Sequence, residues 1–223
     1  MRVRFTRTTD GSDMEELKDL INSAKHSILF LMFTPGSASL HVLAGQRSNE
    51  KGMYVRGVVS TVGNAKGDTD KTHVDVRLIS SDAQTVSDRY TVVQPQSAAQ
   101  LGPWIAEVTR RTFLSQIGHA IVHSKILVID PLSANCAVAT GSHNFSTPAS
   151  ESNDENFVIV KKHQPLAEAY AVHVMSVYQH YRYRSYVRDA LARHEKPWSA
   201  LDDDDNWLKK ELKSKALEIA FWA

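Results

Sequence analysis

His123-Ser124-Lys125-Ile126-Leu127-Val128-Ile129-Asp130 is the stretch around which this chain is organised. Ala120 to Ile129 is rich in Ile and Val and reads as a buried strand, ended by Pro131, which has no N–H to donate to a ladder. Side chains two apart on a strand share a face, so His123 and Lys125 project together. A second apolar run, Ala137 to Phe145, contains Gly141-Ser142-His143-Asn144-Phe145-Ser146 and puts Ser142 and Asn144 on one face by the same alternation. If the two strands pair, an imidazole, an ammonium, an amide and a hydroxyl meet at one spot. That set suits a phosphodiester: one nucleophile, with donors for the non-bridging oxygens.

Asp130 lies seven residues after His123, an odd offset that takes it off the shared face, so its expected role is supporting. Alternation points His143 away from Ser142 and Asn144. Glu155 opens a third strand-like run, to Val160, eleven residues after Asn144, with Asp154 next in line if the register slips by one. Ser146 fits a helix or turn cap at least as well as a phosphate contact. His119 shares the His123 face and reads as a structural histidine. The remaining histidines are scattered without metal-ligand spacing, and Cys136 is alone, so neither a disulfide framework nor a cysteine zinc cluster is available.

The 223 residues, 42% of them hydrophobic, suffice for one well-buried core. We expect a domain over residues 1–198, followed by an acidic and helical tail over 199–223. A formal net charge of +1 provides no overall basic field to draw the chain onto nucleic acid, although a local groove can still be basic. No run of 18 apolar residues spans a membrane. The amino end lacks the charged start, apolar core and small-residue cleavage site of a leader, and the expected compartment is the cytoplasm.

Helical and strand patterns alternate along the chain. Val3 to Phe5 is a short strand. Ser12 and Glu15 have capping-box spacing and open a helix whose apolar side holds Met14, Leu17, Leu20, Ile21 and Ala24. Ser27 to Phe33 is a buried strand, Ala38 to Glu50 a helix, Met53 to Ser60 a strand, Gly63 to Thr72 a polar loop and Val74 to Ile79 a further strand. Gln94 to Pro103 reads as a loop at a substrate-facing lip. Pro165 to Arg193 is a long helix with Leu166, Ala169, Tyr170, Val172, Val174, Val177 and Tyr181 as its apolar side. Asp202 to Asp205 form a solvated helix start, and Trp207 to Phe221 a last helix. The pattern predicts an α/β sandwich with a mixed central sheet between helices.

The His123-x-Lys125-x4-Asp130 pattern, followed by Gly141-Ser142-x-Asn144, resembles the signature of the phospholipase D superfamily. Lys25-His26-Ser27-Ile28-Leu29-Phe30-Leu31-Met32-Phe33 and Gly52-Met53-Tyr54-Val55-Arg56-Gly57-Val58-Val59 look like that family's opening elements, so the resemblance runs from the first helix through Val160. It implies a phospholipase D-like α/β/α sandwich and cleavage or exchange of a phosphodiester through a histidine nucleophile, His123, with no metal and no cofactor. Lys125, Ser142 and Asn144 would bind the phosphate. Glu155 matches a glutamate that hydrogen-bonds the catalytic histidine in single-motif members, where a carboxylate on one ring nitrogen fixes the tautomer.

The family site takes two His-Lys motifs, and this chain has one convincing copy. His194-Glu195-Lys196 is followed at once by Pro197, has no apolar strand around it, and reads as chance. The resemblance therefore implies either a single-motif protein acting as a homodimer or the carboxyl-terminal half of a bacterial two-motif protein. Near-zero charge favours a phospholipid substrate. The single motif with Glu155 favours an endonuclease acting on DNA or RNA, and a non-catalytic binding or scaffold module is a third class on the same fold.

Overall fold

The apolar runs of the sequence become the strands of one mixed sheet. The computed structural model describes residues 1–33, 35, 40–60, 92–93, 122–197 and 204–223. Its strands there are β1 (Arg2–Phe5), β2 (Ser27–Met32), β3 (Tyr54–Val59), β4 (Val92–Val93), β5 (Ile126–Ile129), β6 (Ala137–Gly141) and β7 (Asn156–Lys161). The helices are α1 (Ser12–Ser23), α2 (Leu40–Arg47), α3 (Thr147–Glu151), α4 (Gln164–Ala192), α5 (Asn206–Ser214) and α6 (Ala216–Trp222). The strand order is β1-β7-β6-β5-β2-β3-β4. Strands β2, β3 and β4 pair in parallel, and β2-β5-β6-β7-β1 pair antiparallel.

Strand alternation divides the interior in two. Ile28, Phe30, Met32, Leu127 and Ile129 face Met14, Leu17, Leu20 and Ile21 of α1 and Leu40 and Ala44 of α2. Leu29, Leu31, Tyr54, Val128 and Val138 face Ala167, Ala171, Val174, Met175 and Tyr178 of α4. Strands covered on both faces need apolar residues at odd and even positions alike, which is why β2 and β5 read as continuous apolar runs. The result is the α/β/α sandwich with a mixed central sheet that the pattern predicts. Among the described residues no helix is long and apolar enough to cross a membrane.

Several boundaries and faces differ from the sequence reading. The Ser12–Glu15 capping box does not form: Gly11 occupies the N-cap position at φ 68°, and the Asp10 carboxylate accepts the Ser12 N–H at 3.1 Å instead. Helix α4 packs through Ala167, Ala171, Val174, Met175 and Tyr178, a stripe rotated from the expected one. Val172 is 60% exposed, because the helix approaches the sheet where its small residues lie. The last helix is broken at Lys215 into α5 and α6, and α6 returns to the body through Phe221, whose ring stacks on Tyr54 with centroids 4.5 Å apart. The expected loop 63–72, strand 74–79 and lip 94–103, and His119, lie outside the described residues.

His41 of α2 is 2% exposed, and neither ring nitrogen has a hydrogen-bond partner among the described residues. Burial pushes its pKa down to about 4. The unfolded chain, with the ordinary value of 6.5, then binds a proton that the folded chain refuses. Stability from this group is complete above pH 6.5 and falls as pH drops toward 4, by on the order of 3 kcal/mol. His41→Leu is expected to flatten the Tm-against-pH curve between pH 4 and 7. An unchanged slope would contradict the assignment.

Candidate active site

The antiparallel arrangement puts three chain segments at one end of the sheet. His123 and Lys125 lead into β5, Ser142 and Asn144 leave β6, and Glu155 enters β7. The ladder of β5 begins only at Ile126, so the His123 and Lys125 side chains are not set by strand alternation as expected from Ala120 to Ile129. The reason is local. The Ser60 hydroxyl at the end of β3 donates to Val122 O (2.8 Å) and accepts from Val122 N–H, and Lys125 Nζ donates to His123 O (2.6 Å). Side chains therefore hold the main-chain groups of this segment. Ser142 and Asn144 likewise lie beyond the last residue of β6, so the convergence comes from neighbouring strand ends.

Lys125 Nζ lies 2.9 Å from His123 Nδ1 and 3.1 Å from Nε2, against the exposed imidazole. The Phe33 ring backs both groups, with its centroid 4.5 Å from that of His123 and 5.0 Å from Lys125 Nζ. Lys125 is buried, and burial lowers its pKa against the opposing pull of the Glu155 carboxylate. A cavity of about 810 Å³ brings together His123, Lys125, Ser142, Asn144 and Glu155 with Tyr170 and His173 of α4. The His123 ring is hydrogen-bonded to Lys125, while Glu155 joins them in the cavity wall.

The other candidates separate cleanly. Asp130 stands at the far end of β5, where its carboxylate accepts the N–H groups of Lys25 (2.8 Å), His26 (2.8 Å) and Ser27 (2.7 Å). It ties the start of β2 to the end of β5, a scaffold contact remote from the cavity. Asp154 is 85% exposed and pairs with Arg7 at 3.3 Å, leaving Glu155 as the carboxylate in the cavity wall. The Ser142 hydroxyl accepts Asn156 N–H at 3.0 Å, so it fastens β6 to β7 as well as lining the cavity. Gly141 permits that approach, because a Cβ there would sit 2.3 Å from Asn156 O. Ser146 occupies the N-cap position of α3 but makes no side-chain cap bond. His194 and Lys196 are exposed beyond α4, and Glu195 pairs with Arg193.

Sequence reasoning missed two residues of the cavity wall and the ring behind His123 and Lys125. Tyr170 and His173 sit three apart on α4, a spacing that shares a helix face, but Tyr170 also fits the helix's apolar side, which hides its place in the cavity wall. Phe33 carried no signal beyond ending an apolar run. No group of three or more His, Cys, Asp or Glu among the described residues could hold a metal ion.

The family described as cardiolipin synthase, PLD-like domain, matches residues 17–177. No curated protein matches the chain. Among solved structures it is similar to a phospholipase D family member, Nuc from Salmonella typhimurium, at 19% identity over 78% of this chain and 92% of that one, with a TM-score of 0.49. It is also similar to NucT from Helicobacter pylori, at 14% identity over 81% of this chain and 94% of that one, with a TM-score of 0.47.

Proposed function

The chain belongs to the cardiolipin synthase, PLD-like domain family, and from that membership we propose that it hydrolyses or exchanges a phosphodiester, that of a phospholipid, through a phosphohistidine on His123. The observation that carries the reading is the meeting of His123, Lys125, Asn144 and Glu155 in one cavity. An unprotonated ring nitrogen of His123 attacks phosphorus in line. The bond to the leaving alcohol breaks, and the departing oxygen takes a proton from a second imidazole. That imidazole then removes a proton from water or another alcohol, whose oxygen displaces His123 from phosphorus. Lys125 and Asn144 hold the non-bridging oxygens as charge builds. Lys125 Nζ, now 2.9 and 3.1 Å from the ring nitrogens, must turn onto a phosphate oxygen to free the attacking lone pair.

Glu155 is assigned the orienting role. Glu155→Gln is expected to lower kcat roughly 10- to 100-fold with KM within about threefold, because the phosphate donors remain. A change confined to Tm would make Glu155 structural.

One chain supplies one His123, and the proposed sequence needs two histidines. The second comes from another copy across a two-fold axis, or from a separate chain carrying the other motif. Specific activity should fall on dilution as the assembly dissociates, with sedimentation following the same curve. Constant activity in a proven monomer would contradict this.

The near-zero net charge supports a phospholipid substrate. The deciding experiment compares bis(p-nitrophenyl) phosphate, phospholipid vesicles and plasmid DNA over a salt series in the presence of EDTA. Phospholipid turnover with shallow salt dependence is expected. DNA cleavage that falls steeply with salt would reassign the substrate to nucleic acid, and no turnover of any ester would leave the binding-module class.

A further inference from the structure

Behind the cavity, His143 and Asp13 are both fully buried, with His143 Nε2 3.3 Å from Asp13 Oδ2. The hydrogen bonds around the ring fix its tautomer. Phe145 N–H donates to His143 Nδ1 at 2.9 Å, so Nδ1 carries no proton. The Ser150 hydroxyl, positioned to donate to Ser146 O at 3.4 Å, lies 3.1 Å from Nε2 and accepts the ring proton, while Asp13 Oδ2 stands 3.3 Å from the same nitrogen as a neighbouring charge. Burial lowers the His143 pKa against the charges of Asp13 and Glu155, which keeps Nδ1 free to accept at neutral pH.

The bond from Phe145 N–H to His143 Nδ1 spans a single residue, Asn144, which lines the cavity. It closes a turn in which Phe145 holds a left-handed φ of 57°, a conformation that a side chain other than glycine keeps only when its surroundings impose it. His143 and Phe157 pack edge to face, with centroids 5.4 Å apart, and seat the ring from the sheet side. The ring is thus anchored by α1 and α3, and it in turn anchors the residue assigned to hold phosphate.

We propose that the buried Asp13–His143 pair is a positioning device that locks the turn around Asn144 so that its amide meets the phosphate. This rests on the functional reading above. His143 and Asp13 touch no substrate and act through Asn144.

The test separates positioning from stability. His143→Leu leaves the Asp13 carboxylate buried beside an apolar side chain and should destabilise the fold. The double variant Asp13→Leu/His143→Leu removes the buried carboxylate as well and should recover part of that loss, with the Phe145 and Met14 N–H groups left without their acceptors. The double variant should nevertheless bind inorganic phosphate about tenfold more weakly by calorimetry, and show a KM for bis(p-nitrophenyl) phosphate raised by a similar factor. His143→Asn, whose side-chain oxygen can accept the N–H two residues on, should keep both constants within about threefold of the parent. Parent-like phosphate affinity in a stable double variant would overturn the proposal, as would a parent that binds no phosphate. A parent that binds phosphate but turns over no ester sinks the functional reading alone.

Discussion

His123→Asn protein should fold with a parent-like Tm and turn over bis(p-nitrophenyl) phosphate at least roughly 10³-fold more slowly. The side chain is exposed at the cavity, and among the described residues its ring meets Lys125 Nζ and the tilted ring of Phe33, so little packing is lost with it. The asparagine amide can still receive the Lys125 ammonium but has no lone pair able to form a stable bond to phosphorus. The loss should therefore fall on kcat, while KM, which the proposal assigns to Lys125 and Asn144, stays near the parent value. Activity within tenfold of the parent would remove His123 from the chemistry.

Asp130→Ala should show the opposite profile. Three backbone N–H groups, those of Lys25, His26 and Ser27, end on one buried carboxylate at 2.7 to 2.8 Å, and alanine leaves all three without an acceptor. The Ser27 N–H is buried and costs about 1 to 3 kcal/mol as an orphan, while the part-buried N–H groups of Lys25 and His26 can turn to water, so a loss of roughly 2 to 4 kcal/mol is expected in urea unfolding. Asp130→Asn retains one oxygen, and Oδ1 alone serves His26 and Ser27, so its loss should be smaller. The folded fraction of either variant should keep kcat within a few-fold of the parent, since Asp130 lies at the far end of β5. A stability change below about 0.5 kcal/mol for Asp130→Ala would show that the clamp is dispensable.

These contrasting profiles bear on what was legible in the sequence. The apolar positions of α1 were readable because Met14, Leu17, Leu20, Ile21 and Ala24 follow helical spacing and all are buried. The central strands were readable because Ser27–Met32 and Ile126–Ile129 are apolar at successive positions, as a sheet covered on both faces requires. Offset parity set Asp130 and His143 apart from the other candidates, but residues 123–125, 130 and 142–144 lie outside the β5 and β6 ladders, so strand alternation is not what places them.

The missed features depend on contacts between segments distant in sequence. Nothing near Lys125 announces that its ammonium turns back onto the His123 ring, or that Ser60 holds Val122 in place of a ladder. The rotation of α4 is set by Ala167 and Ala171, small residues that let the helix approach the sheet but carry little weight in an apolar pattern dominated by Leu, Val and Tyr. Nothing in the sequence around Asp13 marks it out in the first turn of α1, and only the fold brings it within 3.3 Å of His143, 130 positions later.

The central claim is that His123 is the nucleophile, and the covalent adduct tests it most directly. Quenching turnover of a slow phosphodiester and mapping the phosphorylated peptide should give an acid-labile, base-stable phosphate on His123, absent from His123→Asn protein. A parent that turns over the ester yet never carries phosphate on His123 under rapid quench, or carries it on another residue, would contradict the account.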